Sequence, residues 1–257
     1  MGNTENKFVY YERREKIAYI TIRRSEKLNA FNDDLIEQMA DVWEIFKYDD
    51  EAWVAILATE GDHFCVGAEL LGEEELPTVP FGKRALAICP SFHEIWKPVI
   101  VAVQGYCIGG GWMLAQECDF RFAADDAIFG IPEGKWNLIP NFTGMLWKHL
   151  PPCLALELLL TGDSIDAQRA YEIGFVNRIV PKEKIMDIAN EFAENLCSAG
   201  PTAVRRMKEL YNMGYSMSRN EVLEFTWKYF DEVLKQKDTV EGLKAFFEKR
   251  KPKYEGF

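Results

Sequence analysis

Several residue patterns are missing from this 257-residue sequence, and each absence removes a class of protein. Six cysteines occur, at Cys65, Cys89, Cys107, Cys118, Cys153 and Cys197, but no two have the Cys-x-x-Cys spacing of a redox or zinc motif. A chain this long needs no disulfide staples, so these thiols are expected to be reduced and inert. Only three histidines are present, His63, His93 and His149, and their spacing suits no metal site. No window approaches the ~18 apolar residues of a membrane span. Residues 1–7 are polar and carry no apolar targeting run, which leads us to expect a soluble, cytoplasmic protein. Positive charge is in deficit: 30 basic residues face 41 acidic ones, for a net charge of -11. Such a surface repels phosphate backbones and anionic bilayers, so neither nucleic acid nor membrane is an expected partner. Internal repeats and low-complexity segments are also missing.

What remains is an α/β pattern followed by a helical one. Residues 16–22 alternate apolar and polar side chains, as a half-buried strand does. Asn32 is placed to cap a helix whose apolar stripe is Leu35, Ile36, Met39, Val42, Trp43 and Phe46. Residues 53–58, 99–103 and 120–123 are short apolar runs that suit buried strands. Residues 70–80 hold several acidic residues and two prolines, and are expected to form a surface loop. Residues 162–166 are expected to form a turn, with Asp166 capping a helix that stops at Gly174. Residues 182–197 have helical periodicity, and Pro201 suits the first turn of another helix. Asp238 and Glu241 have the spacing of a capping box for a last helix. We therefore expect an α/β core over residues 1–195 and a helical region over 196–257. The apolar residues Leu223, Phe225, Trp227, Phe230 and Val233 in that region call for a packing partner, either the core or a neighbouring subunit.

The segment richest in chemical content is KPVIVAVQGYCIGGGWMLAQECD, residues 97–119. A buried strand enters a glycine-rich turn, and an apolar helix follows. Glycines allow the backbone to approach a ligand, and the free N–H groups at a helix start favour negative charge. Such a turn suits a phosphate or a developing oxyanion, or it simply allows close packing of strand on helix. It matches neither the dinucleotide-binding nor the Walker glycine pattern.

This segment resembles the oxyanion-hole motif of the crotonase (enoyl-CoA hydratase/isomerase) family. FCVGAEL at 64–70, FGIPEGKWNLIP at 129–140, LTGDSIDAQRAYEIGFVNRIV at 160–180 and KAFFEKRK at 244–251 resemble further family motifs, in family order. RRSEKLNAF at 23–31 also fits, although Ser25 stands where the family usually has proline. The resemblance implies a spiral of ββα units with a C-terminal helical trimerisation region, assembled as a homotrimer or hexamer. It implies that the N–H groups of Ala68 and Gly110 bind a thioester carbonyl and stabilise an enolate. Glu133 corresponds to one of the two catalytic glutamates of the hydratases. Lys27, Leu28, Ala30, Ala68, Phe246 and Lys249 fall at positions that contact CoA, the last two from a neighbouring subunit. Coenzyme A is then part of the substrate, and no separate cofactor or metal is expected.

Two departures bear on the reaction. The second hydratase glutamate would lie at Met113, which transfers no proton. Asn141 replaces a glycine beside the catalytic water, within the loop PNFTG at 140–144. A lone glutamate beside an apolar residue looks more like the isomerases that shift an enoyl double bond. Isomerisation is thus placed ahead of hydration or dehydration. Decarboxylation, carbon–carbon hydrolysis of a cyclic acyl-CoA, and an inactive CoA-thioester-binding protein are the alternatives. Met113, Trp136, Asn141 and Phe142 are assigned to the substrate pocket; Trp112 and Trp147 are either pocket walls or core. Glu69, Glu73, Glu74 and Glu75 read as a solvated acidic loop, from which one carboxyl could swing inward as a second acid.

Overall fold

The computed structural model describes residues 4–69 and 82–256. Its strands are Thr4–Glu5 (β1), Val9–Arg14 (β2), Ile17–Ile22 (β3), Val54–Thr59 (β4), Val99–Val103 (β5), Tyr106–Ile108 (β6), Phe120–Ala124 (β7), Ile128–Gly130 (β8), Ser164–Asp166 (β9) and Arg178–Val180 (β10). Its helices are Asp33–Tyr48 (α1), Gly110–Gln116 (α2), Pro152–Thr161 (α3), Ala167–Glu172 (α4), Ile185–Cys197 (α5), Pro201–Met213 (α6), Arg219–Leu234 (α7) and Lys237–Glu248 (α8).

Seven strands form the main sheet, in the order β1-β2-β3-β4-β5-β7-β10. The first two pairings are antiparallel, and the rest are parallel. Parallel strands are covered on both faces, which explains their continuous apolar runs. Ala55, Leu57, Val99, Val101, Val103 and Ala123 face a core shared with α1 and α2. Val54, Ile56, Ile100, Ala102, Phe122 and Ala124 face a second core, built on Ile185, Ala189 and Ala193 of α5. Successive residues of one strand therefore serve opposite cores, as the period of two requires.

A smaller sheet, β6-β8-β9, stands beside the main one. The chain leaves β5 and β7 of the large sheet to enter β6 and β8 of the small one. β6 then leads into α2. This is the ββα step, and it brings loops from successive turns together at the small sheet.

Several local expectations hold. Asn32 caps α1 by accepting from the Leu35 N–H at 2.9 Å, and the six apolar residues of its stripe are all buried. Asp166 caps α4 through the Arg169 N–H, and Pro201 opens α6. Two expectations are corrected. The segment at 162–166 is more than a turn: after Gly162, Ser164–Asp166 pairs antiparallel with β8, because the small sheet offers it a free edge. Asp238 and Glu241 form no capping box. Asp238 accepts from the Glu255 and Gly256 N–H groups, and Glu241 pairs with Arg250, so both carboxylates hold down the C-terminal tail. The capping box lies one helix earlier, between Ser218 and Glu221 of α7.

Candidate active site

The site grows out of two short bridges between loops. In the first, the Phe31 N–H donates to the Gly67 carbonyl at 2.7 Å, and the Glu69 N–H donates to the Phe31 carbonyl at 2.8 Å. This is a parallel bridge between Phe31 and Ala68. The neighbours of Ala68 make both of its bonds, so the Ala68 N–H faces away from Phe31. In the second bridge, Cys65 pairs with Cys107. It donates to the Tyr106 carbonyl and accepts from the Ile108 N–H, both at 2.9 Å. The segment around Cys65 is thereby tied to the segment that leads into α2.

Gly67 and Gly109 carry the close approach. Gly67 has φ +89°, and a β-carbon there would lie 2.9 Å from Gly110 N. Gly109 has φ +56°, a conformation that side chains disfavour. The residue before Ala68 thus touches the first residue of α2. Among the described residues, neither the Ala68 nor the Gly110 N–H has a hydrogen-bond acceptor. Two adjacent backbone donors left free in this way suit a developing oxyanion.

Glu133 reaches the same place from the other side. It sits in a 3-10 turn, Pro132–Trp136, that begins directly after β8 and ends where Asn137 turns left-handed at φ 57°. The Gly109 N–H donates to the Gly130 carbonyl, which ties this turn to the start of α2. A β-carbon on Gly109 would lie 2.7 Å from Glu133 Oε1, so the carboxylate lies over the glycine just before Gly110. Glu133 Oε2 is buried and has no hydrogen-bond partner among the described residues. Burial raises its pKa above the ordinary glutamate value, and its own backbone N–H offsets part of that rise. An unpaired carboxyl in this setting suits proton transfer. Met113 lies one helical turn from Gly109, whose carbonyl accepts its N–H, and its side chain is buried in the main core.

The other sequence candidates fall into distinct settings. Phe142 is buried in the main core, whereas Asn141 is exposed and Trp136 is 56% exposed. Trp112 belongs to the core, stacked on Phe175 at 4.2 Å, and Trp147 is exposed against Tyr215. Lys27 and Leu28 are exposed and Ala30 is buried, on the loop ahead of Phe31. Phe246 and Lys249 are exposed at the end of α8. Glu69 is paired with Arg24 at 2.6 Å and with Lys27 at 3.5 Å. The hydrogen bond from Arg24 keeps its carboxyl below the usual glutamate range, so it is poorly suited to donate a proton. Glu73, Glu74 and Glu75 lie outside the described residues.

Several other reactive side chains are occupied or silenced. Burial pushes the Cys65 thiol up to about 12, and its Sγ accepts from the Gly67 N–H. His149 is pushed down to about 4 by burial and by the nearby Arg121 and Lys148 charges. His63 accepts from the Tyr106 N–H, and His93 bridges Glu44 and the Ala87 carbonyl. No group of three or more His, Cys, Asp or Glu suited to a metal occurs among the described residues. No helix there is long and apolar enough to cross a membrane. The sequence pattern gave no signal for Arg24, a buried arginine whose partners come together only through the fold.

The fold and this cluster of backbone donors with one buried carboxyl define a crotonase-type acyl-CoA enzyme. The enoyl-CoA hydratase/isomerase family model matches residues 12–256, and the chain belongs to that family. It is 36% identical over 257 aligned residues to a carnitinyl-CoA dehydratase of Citrobacter koseri, covering 96% of this chain and 98% of the relative. Carnitinyl-CoA dehydratase of Proteus mirabilis is also 36% identical, over 90% of this chain and 92% of its own length. Among solved structures, an enoyl-CoA hydratase of Bacillus anthracis superposes with a TM-score of 0.89 at 31% identity, covering 98% of this chain and all of that one. An enoyl-CoA hydratase of Mycobacterium tuberculosis gives 0.88 at 33% identity, with the same coverage.

Proposed function

We propose that this enzyme removes water from a 3-hydroxyacyl-CoA, and adds it back to the enoyl-CoA, with Glu133 as its only carboxyl acid/base. The observation that carries this reading is the unpartnered Glu133 Oε2 beside the unused Ala68 and Gly110 N–H groups. In the elimination direction the thioester oxygen accepts from those two donors. Glu133 takes the proton from the α-carbon, and the electron pair moves into an enolate. The protonated carboxyl then delivers that proton to the departing β-hydroxyl. Water leaves, the α,β double bond forms, and the carboxylate is restored. One carboxyl thus performs both transfers, and the apolar Met113 is no obstacle. The likeness to carnitinyl-CoA dehydratases over nearly the whole chain favours this direction of chemistry over isomerisation.

A second reading rests on Met113. The same base could take a γ-proton and return it to the α-carbon, shifting the double bond with no change of mass. In either case the reading includes Lys27, Leu28, Ala30 and Ala68 along the CoA, with Phe246 and Lys249 of a neighbouring copy. It places Met113, Trp136, Asn141 and Phe142 around the acyl group. It includes a homotrimer or hexamer in the cytoplasm, and no cofactor beyond the CoA of the substrate.

Incubation with a panel of 3-hydroxyacyl- and enoyl-CoAs, carnitinyl-CoA among them, tests the reading by mass spectrometry. Loss or gain of one water supports it. A new retention time at unchanged mass supports the isomerase reading, and no change with any thioester contradicts both.

A further inference from the structure

The Ala68 donor has no regular sheet to hold it. Its bridge to Phe31 is isolated, with one hydrogen bond on each side. Arg24 lies behind that bridge, only 6% exposed. Its Nη1 donates to the Ala30 carbonyl at 2.8 Å, and its Nη2 donates to Glu69 Oε2 at 2.6 Å. Ala30 precedes Phe31 and Glu69 follows Ala68, so a single guanidinium ties both sides of the bridge together. The arginine is itself held. Its backbone N–H donates to Asn29 Oδ1, while Asn29 Nδ2 donates to the Glu60 and His63 carbonyls. Asn29 is fully buried and left-handed at φ 57°, which turns the chain between Arg24 and Ala30. Lys27 reaches the other oxygen of Glu69, but from an exposed position at 3.5 Å.

We propose that Arg24 and Glu69 are positioning residues for the reaction: the guanidinium clamp fixes the Ala68 N–H in line with that of Gly110. This rests on the reading of Ala68 and Gly110 as the carbonyl-binding donors. Both act through the Ala68 N–H and are assigned no contact with substrate. Donor placement decides the strength of an oxyanion contact, and an error of ~1 Å in such a group costs about 100-fold in rate. An isolated bridge lacks the ladder that would otherwise set the position. Lysine cannot replace arginine here, because only a planar fork reaches both acceptors in their present directions.

The test uses the full-length protein with butyryl-CoA carrying a 13C-labelled thioester carbonyl, read by isotope-edited infrared spectroscopy. The variants are Glu69→Gln, Arg24→Lys and the double variant Arg24→Gln/Glu69→Gln, each checked for native circular dichroism. In wild type, the bound carbonyl should absorb at lower frequency than the free ligand. In folded Glu69→Gln and Arg24→Lys that shift should shrink. Their kcat should fall about 10- to 100-fold with KM changed by less than about threefold, since the contact strengthens in the transition state. The double variant should be no worse than the weaker single variant. Glu69→Gln is the milder change, because Glu69 is partly exposed, and it keeps the test alive if the arginine variants do not fold. A full carbonyl shift and full kcat in folded Glu69→Gln would overturn the clamp. No shift in wild type would instead overturn the carbonyl-binding reading itself, and the clamp with it.

Discussion

Glu133 carries a conflict between stability and function. Its carboxyl is buried, with no partner for one oxygen among the described residues, and its pKa is raised by that burial. The folded state therefore binds this proton more tightly than the unfolded one. Stability at this site is fully present below the ordinary glutamate pKa and is lost as pH rises through the raised value. Glu133→Gln removes the charge, so it should melt above wild type at neutral pH and gain nothing in acid. The same substitution should lower kcat by about 10²–10⁴-fold while binding of unreactive acyl-CoA is retained, because both carbonyl donors are backbone groups. Thermal melts at several pH values check the first, and steady-state kinetics with calorimetry check the second. The activity of wild type should fall on the acid side at a pH above the normal glutamate range, since the eliminating base must be ionised. Gly109→Ala should also be damaging. A β-carbon there meets Glu133 Oε1 at 2.7 Å and must adopt φ +56°. Lower turnover and a lower melting temperature together are expected.

At the level of elements, the sequence was most legible where packing follows period. The stripe of α1 and its cap at Asn32 could be read because an α-helix repeats every 3.6 residues and a cap needs a particular side chain. Asn32→Ala should cost about 1 kcal/mol, measured by urea denaturation. The buried strands were legible as apolar runs, though which residue serves which core required the sheet. Short pieces were not legible. β9 is three residues long, and only the free edge of β8 makes it a strand. Asp238 has the spacing of a cap, but the tail's N–H groups compete for it and win. The candidate site was legible to the extent that glycines and one glutamate stand at motif positions. Its supporting network was not, because Arg24, Asn29 and Glu69 become neighbours through a left-handed loop that no local pattern announces. Glu69 itself read as part of an acidic loop, and the structure turns it into a partner for Arg24.

For the molecule as a whole, the helical end is the unfinished part. Trp227, Phe230 and Leu234 of α7 and Leu243, Phe246 and Phe247 of α8 are more than half exposed or close to it. We propose that so many large apolar side chains on one chain form an association surface. Light scattering at micromolar concentration should give three or six copies, and a monomer there would refute the assembly. The proposed chemistry lies where Ala68, Gly110 and Glu133 meet, and one measurement addresses it whatever the natural substrate proves to be. Butyryl-CoA has no hydroxyl to lose and no double bond to move, but it has α-hydrogens beside a thioester carbonyl. Held in D2O with the enzyme, it should take up deuterium at the α-carbon, because Glu133 can remove a proton while the two N–H groups hold the enolate. Glu133→Gln should bind it and exchange nothing. Exchange by that variant at the wild-type rate, or no exchange by wild type with butyryl-CoA bound, would contradict the account.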